Sequence, residues 1–160
     1  MSKLNSKDFL KRLNILTDEL RGQIEAAFDG WDDSPKAISE RRAKVFDPVN
    51  GFAYFLKNYF PHYLRSDSQS KLHEYLFCEL PAMLANPKSQ NYALAAPRGE
   101  AKSTIVTRLF SLYCVITGQK RYIVIVSNTY EQAAEFLAAI KTELEANTRL
   151  KIDSVSYTHL

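Results

Sequence analysis

Lys102 and Ser103 are the pair in this chain best suited to chemistry on phosphate: a lysine can neutralise a polyphosphate while the hydroxyl beside it holds a divalent cation. They close the stretch Ala96-Pro97-Arg98-Gly99-Glu100-Ala101-Lys102-Ser103-Thr104. A phosphate-binding loop reads Gly, four residues, Gly-Lys and then Ser or Thr, and here Ala96 and Ala101 stand in the two glycine positions. In that pattern Lys102 contacts the β and γ phosphates of ATP and Ser103 gives its hydroxyl to Mg²⁺. Thr104 can hydrogen-bond a phosphate nearer the base, and Gly99 lets the backbone approach closely. The alanines count against the match, because a left-handed non-glycine residue costs about 1 to 2 kcal/mol. The competing reading is a strand-to-helix turn that holds Lys and Ser by chance.

Such a loop works only between a strand's end and a helix start, where backbone N–H groups and the helix dipole converge on one point. Tyr92 to Ala96 read as the strand before it. Lys102, Ile105, Leu109, Leu112 and Ile116 mark the helix after it, with Gly118 as its carboxyl-terminal cap. Tyr122 to Ser127 are a continuous apolar run of the kind found in strands covered on both faces. Thr129 and Gln132 form a capping-box signature for a helix whose apolar line is Ala133, Leu137, Ile140 and Leu144. The order strand, loop, helix, strand, helix predicts a parallel α/β sheet. Ser127 and Thr129 would then face the ligand crevice, although Thr129 reads better as a helix cap.

Upstream the pattern is helical. Ser6 as a cap, with Phe9, Leu13, Leu16, Leu20, Ile24 and Phe28 at helical spacing, predicts one long amphipathic helix for packing. Asp29 to Pro35 read as a loop whose acids carry no chemistry. The aromatics Phe52, Phe55, Tyr59, Phe60 and Tyr63 follow helical spacing until Pro61. With only Lys57 and Arg65 beside them they read as buried core rather than a base-stacking surface. A further helix runs from Ser70 through Leu72, Leu76 and Leu80 toward Met83, bent or ended by Pro81, and Pro87 to Asn91 make a polar break.

With 160 residues, the chain suffices for one domain. Its net charge of +3 is dispersed, forming no basic tail or stripe that would point to nucleic acid. Cys78 and Cys114 have no neighbours at metal-ligand spacing and read as reduced, buried thiols of a cytosolic protein. No signal peptide or membrane-spanning run is evident, which predicts a cytoplasmic protein with no membrane partner.

The loop at 96–104 resembles the deviant Walker A loop of bacteriophage terminase large subunits, the motors that package viral DNA. Tyr59-Phe60-Pro61-His62-Tyr63 and Leu72-His73-Glu74-Tyr75-Leu76-Phe77 resemble that family's segment before the loop. Tyr122 to Gln132 and Ile140 to Asn147 are similar to its second strand and following helix. The resemblance spans about residues 52–150 and is most specific at the loop with Arg98. It implies an incomplete P-loop NTPase fold of the ASCE type, a parallel sheet flanked by helices behind a helical amino-terminal region. Residues 1–50 would be the helical extension and 51–150 the amino-terminal part of the ATPase domain, while 151–160 form a tail in which 154–160 depart from the family pattern and read as sequence appended by a sequencing or assembly error.

The resemblance also assigns roles. Lys102 and Arg98 become the catalytic cations, with Arg98 sensing or stabilising the γ-phosphate. Pro97, Arg98, Gly99, Glu100, Ala101, Lys102, Ser103 and Thr104 line the ATP site, Ser103 ligates Mg²⁺, and His73 lies against adenine. The bland alternatives are a surface arginine and a half-buried, hydrogen-bonded histidine. The implied partners are double-stranded viral DNA, the portal protein and the small terminase subunit, with the chain in a homo-oligomeric ring in the host cytoplasm.

Hydrolysis in such a motor needs an acidic pair on a later strand. The chain ends before one, and Lys151-Ile152-Asp153-Ser154-Val155 is a poor substitute. The expectation is a fragment without Walker B acids or nuclease domain that binds nucleotide but does not hydrolyse it. Two other functions stay open: a helicase-like or other P-loop ATPase, and a non-enzymatic interaction module with a vestigial loop.

Overall fold

The computed structural model describes residues 6–25, 30–64 and 70–154. Phe28, Asp29, Arg65, residues 155–160 and the Ser6 side chain, all named above, lie outside the described residues. The helices run α1 (Ser6–Glu25), α2 (Pro35–Val45), α3 (Gly51–Tyr59), a 3-10 turn (Pro61–Tyr63) and α4 (Lys71–Ala85). A π-helical segment (Thr104–Leu109), α5 (Phe110–Ile116), α6 (Tyr130–Ala146) and α7 (Thr148–Ser154) follow. They divide into two compact units, one of Asp32–Arg121 and one of Met1–Trp31 with Tyr122–Leu160.

In the unit Asp32–Arg121, α2 starts where local chemistry allows. Ser34 accepts the Ala37 N–H at 3.3 Å and Pro35 sits in the first turn, where its missing N–H costs nothing. Asp32 accepts the Ser34 N–H at 2.9 Å, and that bond holds its carboxyl below the ordinary value. Asp32 thus serves the turn. At the other end of α2, a Cβ on Gly51 would lie 2.2 Å from the Val45 carbonyl oxygen, so only glycine lets α3 begin there.

The core of this unit is aromatic. Phe52, Phe55, Leu56, Tyr59 and Phe60 are at most 2% exposed. Phe52 meets Phe110 edge-on at 5.3 Å and Phe77 at 6.1 Å, tying α3 to α5 and α4. Tyr113 from α5 packs on Phe55 at 5.4 Å and donates its hydroxyl to the Val45 carbonyl at 3.1 Å. Pro61 ends α3 as its missing N–H requires. Pro81 does not end α4, which continues to Ala85, because Leu76, Phe77, Leu80 and Pro81 itself are all buried and that packing outweighs the lost hydrogen bond. Gly118, at φ +68°, caps α5 by donating to the Val115 carbonyl at 3.1 Å.

In the other unit α6 packs along α1. Phe9 meets Tyr130 at 5.3 Å, Lys141 donates to Asn14 at 3.0 Å, and Arg21 pairs with Glu145 at 3.2 Å. The buried face of α6 is Ala134, Ala138, Ala139, Thr142, Glu143 and Ala146, whereas Leu137 and Leu144 of the expected apolar line are over 40% exposed. Four of these six are alanines, small enough to admit close approach of the partner helix. Asn147 makes the corner into α7, donating to the Glu143 carboxylate at 2.9 Å and accepting the Leu150 N–H at 3.1 Å.

The expected α/β fold, an incomplete ASCE-type P-loop NTPase with a parallel sheet, is not what the chain forms. Among the described residues there is no β-strand. Residues 92–96 and 122–127 have no regular structure and belong to no ladder, and Tyr122, Val124 and Val126 are 85%, 64% and 87% exposed. A parallel strand satisfies its backbone only through neighbouring strands and is buried only beneath crossover helices. Among the described residues no neighbouring strand is supplied to these segments, so apolar content alone does not make them a sheet.

Candidate functional site

The loop begins where an irregular stretch reaches Ala96 and Pro97, turns at Arg98 and Gly99, and enters a helix at Lys102. The helix opens with the Ile105 N–H donating to the Ala101 carbonyl at 2.9 Å. Gly99 lies at φ +95° and Ala101 at φ +49°, while Glu100 between them keeps a negative φ. Backbone of alternating hand is the kind from which concave anion nests are built. Ala96 has no positive φ, so of the two alanines in glycine positions only Ala101 carries the left-handed penalty. Residues held in such strain cluster at ligand sites.

Side chains close the loop on itself. Lys102 Nζ donates to the Ala96 carbonyl at 3.4 Å, spanning the loop from its far side. His73, on α4, places Nε2 3.1 Å from the Glu100 carbonyl oxygen, and its ring stacks on Phe77 at 6.2 Å and 24°. A cavity of about 330 Å³ lies against the loop, lined by Ser70, Lys71, Leu72, Ala96, Pro97 and Glu100 among others. Ser103 is exposed in the first helical turn, and Pro97, Arg98 and Gly99 are exposed around it. Glu100, Lys102 and Thr104 are half-buried.

The helix behind the loop is not regular α. From Thr104 to Leu109 it is π-helical, closed by the Phe110 N–H on the Ile105 carbonyl. Ile105, Leu109 and Leu112, three residues of the expected apolar line, are fully buried. A π segment is an insertion frequently kept at functional sites, and no sequence pattern distinguishes it from the helical spacing read above. The His73 contact with Glu100 is equally invisible in sequence, since 27 residues separate the two.

Arg98, Lys102 and Ser103 are thus on one loop and helix start, with His73 reaching the same loop from α4. Ser127 and Thr129 belong to the other compact unit. There Thr129 caps α6 by accepting the Gln132 N–H at 3.3 Å, and Ser127 donates to the Gln132 side chain in place of a full capping box. Asp153 is buried and accepts from Trp31 Nε1 at 3.4 Å. Cys114 is buried, and burial pushes its thiol up to about 11, which makes it inert. Cys78 is exposed, contrary to the buried reading.

Among the described residues no group of three or more His, Cys, Asp or Glu is placed to hold a metal ion. No described helix is long and apolar enough to cross a membrane. No protein-family model, curated protein or solved structure matches the chain.

Proposed function

We propose that residues 96–104 bind the phosphate chain of ATP with Mg²⁺, as the nucleotide site of a DNA-packaging motor of the terminase large-subunit kind. The observation that carries the phosphate reading is the alternation of φ sign across Gly99-Glu100-Ala101 directly before a helix start, with an alanine held at φ +49°, which we read as an anion nest. Strain of that kind persists when a site requires the backbone it produces. The donor set fits the group: Lys102 Nζ can exchange the Ala96 carbonyl for a phosphate oxygen, and the exposed Ser103 hydroxyl is a hard oxygen ligand suited to Mg²⁺. Arg98, exposed at the turn, supplies a second cation for the terminal phosphate. Mg²⁺ would neutralise charge on the phosphates, while the chain's own residues bind and orient them.

The support lies in the loop and not in the scaffold, which is helical. The motor assignment, with viral DNA, portal protein and small subunit as partners in a ring, rests on sequence resemblance alone. Calorimetric titration of the whole chain with Mg-ATP tests the site. Lys102→Ala is expected to weaken binding at least tenfold, about 1.4 kcal/mol. Equal affinity of wild type and variant would sink the proposal, and so would no binding by wild type.

One observation favours a second reading, an interaction module with a vestigial loop. Tyr122, Val124 and Val126 expose apolar side chains within one short run, and clustered apolar exposure marks interaction sites. Absence of nucleotide binding by wild type would leave that reading in possession.

A further inference from the structure

We infer that His73 is a positioning residue of the phosphate loop, whose Nε2–H bond to the Glu100 carbonyl fixes the peptide that completes the anion nest. The inference rests on the nucleotide reading above and gives His73 a different task from contact with a base.

A line of anchored groups leads to that peptide. Ser70 caps α4 by accepting the His73 N–H at 3.3 Å, so the backbone of residue 73 is pinned in the first helical turn. One turn on, Phe77 is buried and meets Phe52 edge-on at 6.1 Å, which makes it part of the aromatic core. The His73 ring lies nearly parallel to Phe77, at 24°, and so is oriented by the core. Its Nε2 then reaches the Glu100 carbonyl oxygen at 3.1 Å. A carbonyl only accepts, so Nε2 carries the hydrogen and donates.

The consequence for the loop follows from peptide geometry. The Glu100–Ala101 bond is trans, and a trans peptide points its C=O and N–H in opposite directions. Holding the Glu100 oxygen toward α4 therefore aims the Ala101 N–H away from α4, and Ala101 is itself the residue at φ +49°. Without the bond, that peptide loses its tie to α4, and Ala101 is left with only its carbonyl's bond to the Ile105 N–H to hold it in a region an L-residue avoids. Gly99, free of such steric cost, needs no clamp.

Base contact and loop positioning make opposite demands on the ligand. A base contact matters to ATP and not to inorganic tripolyphosphate, whereas a clamp on the nest matters equally to both. Two variants separate the roles of the ring: His73→Phe keeps an aromatic ring to stack and removes the donor, while His73→Gln removes the ring and keeps an N–H donor.

The experiment titrates the whole chain, wild type and both variants, with Mg-ATP and with Mg-tripolyphosphate. It also records the Glu100 carbonyl ¹³C shift in the ligand-free protein. Expected are a loss of about fivefold in His73→Phe for both ligands, the size of one hydrogen bond, and recovery to within about twofold in His73→Gln. The Glu100 shift should move in His73→Phe and return in His73→Gln. An unmoved carbonyl shift in His73→Phe overturns the inference whatever the ligands do, and so does a loss confined to ATP. Binding of neither ligand by wild type overturns the nucleotide reading itself, an outcome told apart from a failed clamp because the latter leaves wild-type binding intact.

Discussion

Helix α3 and the segment 122–127 are both strongly apolar and meet opposite fates. Phe52, Phe55, Leu56 and Tyr59 are at most 2% exposed, while Tyr122 and Val126 are 85% and 87% exposed. Hydrophobicity does not separate them, because Tyr-Ile-Val-Ile-Val is as apolar as Gly-Phe-Ala-Tyr-Phe-Leu. Backbone hydrogen bonding does. A helix satisfies its N–H and C=O groups within the segment and can be buried as soon as one face finds a partner. An extended segment must find a neighbour for its backbone before burial is affordable, and none of the described residues provides one.

The largest effect should come from the buried side of that contrast. Phe52 is fully buried and touches rings from α4 and α5, so Phe52→Ala empties the centre of its unit. A loss of about 3 to 5 kcal/mol is expected in urea unfolding. A loss under about 1 kcal/mol would mean that the aromatic cluster is not packed in solution, and the comparison would break at its stronger end.

Between the extremes lies the phosphate loop, where backbone shape rather than burial decides. A Cβ at Gly99 meets nothing within 4 Å, so Gly99→Ala has no clash and probes only φ +95°. The expected cost is about 1 to 2 kcal/mol, read as lowered unfolding free energy. It should fall on nucleotide affinity too, since relaxing the turn opens the nest. An unchanged stability would show that the loop does not hold its left-handed residue.

How far the sequence could be read follows the same division. Capping chemistry was legible at three helix ends: Ser70 and Thr129 open helices and Gly118 closes one, as their residue types predict. The aromatic core around α3 was legible too. Helix α2 passed unread although Ser34-Pro35 is a plain start signal, because its apolar face is weak and only Val45 is fully buried. The strands were misread because period and propensity report what a segment would do beside a partner, not whether a partner exists. At the site, the run 96–104 could be seen in sequence, but its φ angles and the His73 contact could not. Both depend on α4 standing next to the loop.

The smallest effect should come from the exposed segment, and it sharpens the comparison by its smallness. Val126 is 87% exposed and belongs to no backbone ladder. Exchanging it for serine removes apolar atoms that already face water in folded and unfolded chains alike. Val126→Ser should therefore stay within about 0.5 kcal/mol of wild type in the same urea titration, as surface substitutions do. A loss of about 2 kcal/mol or more would require that the valine be removed from water in the folded protein. The segment would then have found the strand partner it otherwise lacks, and the dependence of that loss on protein concentration would tell whether a second copy supplies it.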